Sequence, residues 1–348
     1  MDPEAWRAKN PGVFFLDPED PELLAAYLTA KGVLDKTETL LAASKAGEGN
    51  MNCTLRAQTN RRSFIIKQSR PWVEKYPQFE APWDRALREI EFYQLASGRP
   101  KLAAMMPQLF FADAEARLIV LEDLGQHADY TDLFGEETIQ ADEVEKLAGF
   151  LSELHAGFLD TEGRLGLANK AMRELNGAHI FDIPLQAENG LDLDSITLGL
   201  AECAERLKGN PAYVQTVGDL ANVYHADGAC LLHGDYFPGS FLRTARGPCV
   251  IDPEFGYFGR PEFDPAVFVA HMCLARQPRE RVAQFVAGYA PPPDYDEAVM
   301  LQLAGVEIMR RLVGYAQLPL TIGIEEKRDL LDLSRELVLN PRSALVTG

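Results

Sequence analysis

Residues 231–255 read LLHGDYFPGSFLRTARGPCVIDPEF. Two short apolar runs, 230–232 and 249–251, each end in an acidic cluster: His233-Gly234-Asp235 after the first, Asp252-Pro253-Glu254 after the second. A buried strand that delivers an acid to the loop at its end builds a polar site on a rigid frame. Little more than one loop and a short hairpin separates the two clusters, enough to bring them back together. One carboxylate can accept a proton, and the other cluster can hold a hard cation through oxygen ligands. Phosphoryl transfer asks for this layout: an acid that orients a hydroxyl, then a metal-binding acid on a neighbouring strand. Either tripeptide alone is an ordinary turn; their order and their position after strands make them a pair.

The stretch resembles the catalytic region of the aminoglycoside phosphotransferase and choline kinase superfamily, which shares the bilobal fold of the protein kinases. Those enzymes carry an H-G-D-x-x-x-x-N loop and a metal-binding Asp on the next hairpin. Two departures stand out here: Ser240 replaces the usual Asn, and the second cluster is Asp252-Pro253-Glu254. Both resemble one branch, the 5-methylthioribose kinases, with H-G-D-x-x-x-G-S and D-P-E-F. The resemblance implies ATP and Mg²⁺ as cofactors. Asp235 would orient the acceptor hydroxyl and take its proton. Asp252 and Glu254 would hold Mg²⁺, with Ser240 or a bound water assisting.

With 348 residues the chain is long enough for two lobes and a sizeable core. Its 47% hydrophobic and 25% charged content fits a globular protein and not a disordered one. A net charge of −18 argues against nucleic-acid binding and against a polybasic membrane patch. The five cysteines are scattered and form no CxxC, which suggests reduced thiols. The polar, acidic N-terminus does not read as a signal peptide, so none is expected, and no apolar run approaches the roughly 18 residues of a membrane span. The expected setting is the cytoplasm. The expected partner is a small sugar-like molecule, with a homodimer left open.

The helical stripe at 20–32 has Pro21 in its first turn and Gly32 to end it. A glycine-containing turn at 46–52 precedes expected strands at 53–58 and 63–68. A proline- and tryptophan-rich linker then leads to a helix at 84–96, and a further strand covers 117–122. Beyond it the periodicity turns helical at 142–158, 195–207, 212–226, 264–275, 279–290, 294–316 and 325–339. The expected fold is therefore α+β: a bilobal protein-kinase-like arrangement with a small β-rich N-lobe, 1–124, and a larger mainly helical C-lobe, 125–348. Residues 160–225 carry no recognisable motif.

Lys67 alone would be a solvent-facing lysine of an edge strand. The glycine turn before it and the acidic helix after it suggest instead a lysine that meets nucleotide phosphates and is held by a glutamate. Glu89 is the expected partner, with Glu91 in reserve. Gly47 and Gly49 could let backbone N–H groups approach phosphates. The turn 47–52 followed by Lys67-Gln68 also resembles the methylthioribose kinases, which implies Asn50 and Lys67 as ATP contacts. Residues 121–124, with Glu122 and Asp123, occupy the place of the adenine-binding hinge.

For the acceptor, Arg310 and Arg311 sit in a setting similar to an arginine pair that helps those enzymes bind their sugar; the plain alternative is a basic surface patch facing Glu325 and Glu326. Trp83 matches a tryptophan-bearing loop near the acceptor, with packing as the alternative. His155 reads as structural. The sequence thus points to an ATP-dependent small-molecule kinase, with methylthioribose as the leading acceptor. Another sugar, an amino alcohol or an aminoglycoside is the alternative acceptor. An inactive kinase-like binding protein is the alternative of another class, suggested by Ser240.

Overall fold

The computed structural model describes residues 3–47, 51–160 and 166–341. The chain divides into two compact units. One runs to His127 and includes Asp252–Glu254; the other comprises Ala128–Ile251 and the chain from Phe255 onward.

The first unit is built on a five-stranded antiparallel sheet of β1 (Leu40–Lys45), β2 (Cys53–Thr59), β3 (Ser63–Gln68), β4 (Leu109–Asp113) and β5 (Leu118–Glu122), in the order β1-β2-β3-β5-β4. β3 is the central strand, and Lys67 lies opposite Thr54 on one side and Ile119 on the other. Period-two alternation sends Phe64 and Ile66 into one apolar layer with Leu55, Ala57, Leu118 and Val120. That layer is covered by Leu24 and Leu28 of helix α1 (Pro21–Ala30), whose first turn is capped by the Asp20 side chain on Leu23 N–H. Lys67 falls on the opposite face. Gln68 closes the layer: its Oε1 accepts from Leu16 N–H at 2.8 Å, and its Nε2 donates to the carbonyls of Phe14 and Ala116. Helix α2 (Arg85–Ser97) buries Ala86, Glu89, Ile90, Phe92 and Tyr93.

Two of these strands were not expected. β1 has no buried residue, and β4 shows no clean alternation, so neither carries the periodic signal on which a strand reading depends. The linker after β3 also holds a short ribbon, Trp72–Val73 paired with Tyr76–Glu80.

The second unit is mainly helical. It includes α3 (Ala141–Gly157), α4 (Lys170–Gly177), α5 (Pro211–His225), α6 (Phe263–Leu274), α7 (Glu297–Val313) and α8 (Ile324–Leu339). α6 is buried on nearly every side, and α7 from Met300 onward is almost as enclosed, as expected of helices at the centre of a core. The helix expected at 195–207 is interrupted: a short turn of helix at Leu193–Ile196 stops, and a second helix starts at Leu200 after Gly199, which takes a left-handed φ of 90°. Two small antiparallel ladders carry the acidic clusters. β6 (Cys230–Leu232) pairs with β9 (Tyr257–Gly259), and β7 (Phe241–Thr244) pairs with β8 (Gly247–Val250). No described helix is long and apolar enough to cross a membrane.

α7 and α8 come into close contact at Gly305. A Cβ there would sit 2.8 Å from the carbonyl oxygen of Ser334 and 2.9 Å from Val338. The Ser334 hydroxyl uses the contact, donating to the Gly305 carbonyl at 2.6 Å. Gly305→Leu is therefore expected to force the two helices apart and destabilise the protein by about 1–3 kcal/mol. Chemical denaturation of variant and wild type checks this; an unchanged midpoint and slope would contradict it.

Candidate active site

In the first unit, the Lys67 ammonium is 6% exposed and lies 3.0 Å from Glu89 and 2.8 Å from Asp252 Oδ1. Glu91 turns away to Arg88, so of the two glutamates considered it is Glu89 that meets the lysine. Burial pulls the Lys67 pKa down, but Asp252, Glu89 and Glu254 together outweigh it and hold the ammonium well above its ordinary range. Lys67 stays charged. Glu89 responds oppositely: burial pushes its carboxyl up to about 7 against the pull of Lys67, and the nearby Asp252 and Glu254 add to the rise. Burial in a cluster of carboxylates thus favours the protonated form of Glu89.

Asp252 and Glu254 lead different lives. The Asp252 side chain is 51% exposed, and its backbone takes a left-handed φ of 59°, a conformation few non-glycine residues adopt. Such strain persists where surrounding structure enforces it, and it collects at functional sites. Glu254 is buried: its Oε2 accepts from Asn52 Nδ2 at 2.7 Å and lies 3.4 Å from Arg85 Nε. Arg85 is itself almost wholly enclosed and donates to the carbonyls of Arg70, Pro82 and Met51. Asn52 and Arg85 thus fix the Asp252–Glu254 turn. Neither was singled out from the sequence, where an Asn in a turn and an Arg at a helix start have no distinctive pattern.

In the second unit, the loop after β6 is fixed by backbone. Gly234 has φ 82°, and a Cβ would come within 2.3 Å of the Phe255 carbonyl oxygen, so only glycine fits. Asp264, fully buried at the start of α6, accepts from His233 N–H at 2.6 Å and Gly234 N–H at 2.9 Å. It also faces His155 Nε2 at 3.2 Å, and His155 Nδ1 meets the Tyr289 hydroxyl at 2.7 Å. Both ring nitrogens are thus engaged. His155 therefore supports the loop, in keeping with its structural reading. His233 Nδ1 accepts from Asp235 N–H and its Nε2 faces the Ile251 carbonyl at 2.9 Å, while Ile251 N–H donates to the Ser240 carbonyl. The residue before Asp252 is thereby tied to the Asp235 loop. The Ser240 hydroxyl donates to the Asp235 carbonyl at 2.8 Å, closing the same loop. Asp264 went unread because an acid opening an apolar helix looks like an ordinary first-turn residue.

Asp235 is part-buried, and its Oδ1 lies 3.5 Å from Arg311 Nη2. Burial raises its pKa, opposed by Arg311 and Arg310, so its carboxylate is a stronger base than a solvated one. Both arginines are 6% exposed, which excludes a basic surface patch; Glu325 and Glu326 pair instead with Arg328 and Arg276. Glu307, one turn earlier, meets both: 2.7 Å to Arg311 Nε and 3.3 Å to Arg310 Nη1. Burial would raise the Glu307 pKa, but Arg310 and Arg311 outweigh it and hold the carboxyl well below the usual range.

Of the remaining expected residues, Gly47 has φ 71° with open space where a Cβ would stand. Gly49 and Asn50 lie outside the described residues. Glu122 accepts from Gln108 N–H, and Asp123 forms a two-point ion pair with Arg56 at 2.9 and 3.0 Å. Their side chains are engaged within the sheet unit. Trp83 donates its indole N–H to the Ser69 carbonyl, stands edge-on to Trp6 and carries Arg117 over its face. Its contacts are those of packing within the first unit.

Residues 52–301 match the family described as "Phosphotransferase enzyme family". The methylthioribose kinase of Exiguobacterium sibiricum is 23% identical over an alignment covering 89% of this chain and 92% of that protein. Among solved structures, the gentamicin-APH(2")-IIa complex superposes with a TM-score of 0.53 at 14% identity, covering 96% of this chain and 99% of that one. Choline kinase LicA from Streptococcus pneumoniae gives 0.52 at 14%, covering 92% and 99%. At such identity the two structures establish the fold, the α+β kinase-like arrangement expected from the sequence.

His271 faces Glu307 Oε1 through Nε2 at 3.1 Å, and burial pushes its pKa down to about 4 despite that contact. Its folded-state value lies below the unfolded one, so the unfolded chain binds the proton first. The stability it contributes is full above pH 6.5 and is lost as pH falls toward 4. His271→Asn should remove this component. The stability difference between wild type and variant should shrink by about 2 kcal/mol between neutral and mildly acidic pH. Parallel stability curves over that range would contradict it.

Proposed function

The chain belongs to the phosphotransferase enzyme family, and on that premise we propose that it is an ATP-dependent kinase that phosphorylates the anomeric hydroxyl of 5-methylthioribose. The observation that carries the acceptor side is the buried arginine pair beside Asp235. Guanidinium forks suit vicinal hydroxyls and a transferring phosphoryl group, and they disfavour a cationic amine. The name of the full-length relative from Exiguobacterium sibiricum supports the same acceptor.

Asp235 orients the acceptor hydroxyl and takes its proton as the oxygen attacks the γ-phosphorus; its raised proton affinity suits that role. Lys67, charged and held by Glu89, meets the phosphates of the nucleotide. Mg²⁺, when bound, supplies neutralising charge for the phosphate oxygens. Asp252 fits a hard cation as a half-exposed carboxylate, and Glu254, steadied by Asn52 and Arg85, is the second oxygen donor in reach of that turn. Ser240 serves by holding the Asp235 loop. Catalysis then rests on positioning and electrostatics.

Wild type supplied with Mg-ATP and methylthioribose should yield ADP and a sugar phosphate, visible by ³¹P NMR, and should leave an aminoglycoside unmodified. Asp235→Asn should lower kcat by at least about 10²-fold with little change in nucleotide affinity, and Asp252→Ala should abolish Mg²⁺-dependent turnover. A wild type that phosphorylates only the aminoglycoside would overturn the acceptor. Near-normal turnover in Asp235→Asn would remove it from the base role.

A further inference from the structure

Glu307 is 2% exposed and lies three and four positions before the two arginines, the spacing that brings side chains together on one helix face. Adjacent residues leave a helix about 100° apart; a single carboxylate beneath them draws Arg310 and Arg311 in from both sides. His271 contributes a hydrogen bond to Glu307 and, being neutral, no charge. Arg311 then reaches Asp235 Oδ1, its guanidinium lying 4.8 Å over the Phe237 ring. The Arg310 Nε has no partner among the described residues. The charges balance: two guanidiniums against the carboxylates of Glu307 and Asp235. Without Glu307 a surplus positive charge would sit beside Asp235. A neutral polyol needs the donors of the pair but no net field, whereas a phosphorylated product would be retained by one.

Resting on the reading that this pair meets the acceptor, we propose that Glu307 is a positioning residue: it splays the two guanidiniums and cancels one of their charges, so that the half-site takes a neutral polyol and releases an anionic product.

Calorimetric titration of inorganic phosphate into nucleotide-free wild type, Glu307→Gln and Glu307→Asp tests this. Glu307→Gln keeps the shape and loses the charge. Phosphate should bind it about tenfold more tightly at low ionic strength, with the gain erased by high salt and by adding Arg311→Ala. A merely damaged fold weakens binding and cannot produce that gain. Glu307→Asp keeps the charge and shortens the reach by one methylene. Its phosphate affinity should stay within about twofold of wild type, while KM for the acceptor rises about tenfold and KM for ATP holds. Should Glu307→Gln fail to fold, the Asp variant carries the test alone, since tighter phosphate binding there would contradict the charge argument. Unchanged or weaker phosphate binding in Glu307→Gln, or a gain that survives Arg311→Ala, overturns the proposal. Phosphate binding requires no turnover. Failure of wild type to phosphorylate methylthioribose would therefore remove that acceptor and leave the result on Glu307 standing.

Discussion

The Asp264 carboxylate, sunk in the helical core, receives the backbone N–H groups of His233 and Gly234. A buried carboxylate is tolerable only where its lone pairs are filled. Asp264 fills them with two amides and the His155 ring, so the energetic demand of burying the acid is met by fixing the loop. Once His233 and Gly234 are pinned, His233 reaches the Ile251 carbonyl, Ser240 closes on the Asp235 carbonyl, and Asp235 is delivered next to Arg311. Asp235 is therefore placed through α6 as well as by its own loop, and helices position a side chain more precisely than loops do.

Charge is managed in two clusters of similar logic. In the first unit, Lys67 and Arg85 face Glu89, Asp252 and Glu254, and burial, with the two neighbouring carboxylates adding to it, drives Glu89 upward in pKa. In the second, Arg310 and Arg311 face Glu307 and Asp235. The first cluster is short of positive charge, and the second is balanced.

Much of this was legible in the sequence, and the reasons it was legible are local. The β3 strand announces itself by Phe64-Ile-Ile, and His233-Gly234-Asp235 by following an apolar run. The helix of Arg310 and Arg311 shows a continuous stripe. What could not be read depended on partners distant in sequence. The Lys67–Glu89 pair was readable from the turn before the strand and the helix after it, but not the Asp252 contact, which comes from far along the chain. Trp83 offered a family likeness, but its indole is engaged by Ser69, Trp6 and Arg117. The partners that steady Glu254, Asn52 and Arg85, are just as remote in sequence. Asp264 and Glu307 were passed over because a lone acid on an apolar helix has no signature until its buried partners are known. The segment between 160 and 225 gave no motif, and its π-helical turn at Ala178–Asp182 departs from the 3.6-residue period on which helix reading relies.

If α6 aims the loop through Asp264, then Asp264→Asn, which replaces one acceptor oxygen by a donor, should loosen the loop and little else. The most direct measurement is the single-turnover rate of phosphoryl transfer at saturating substrates. It should fall about a hundredfold, the cost of misplacing a reacting group by roughly an ångström, with the dissociation constant of Mg-ATP unchanged. A single-turnover rate close to wild type in a folded Asp264→Asn protein would show that the loop holds its geometry without the buried carboxylate.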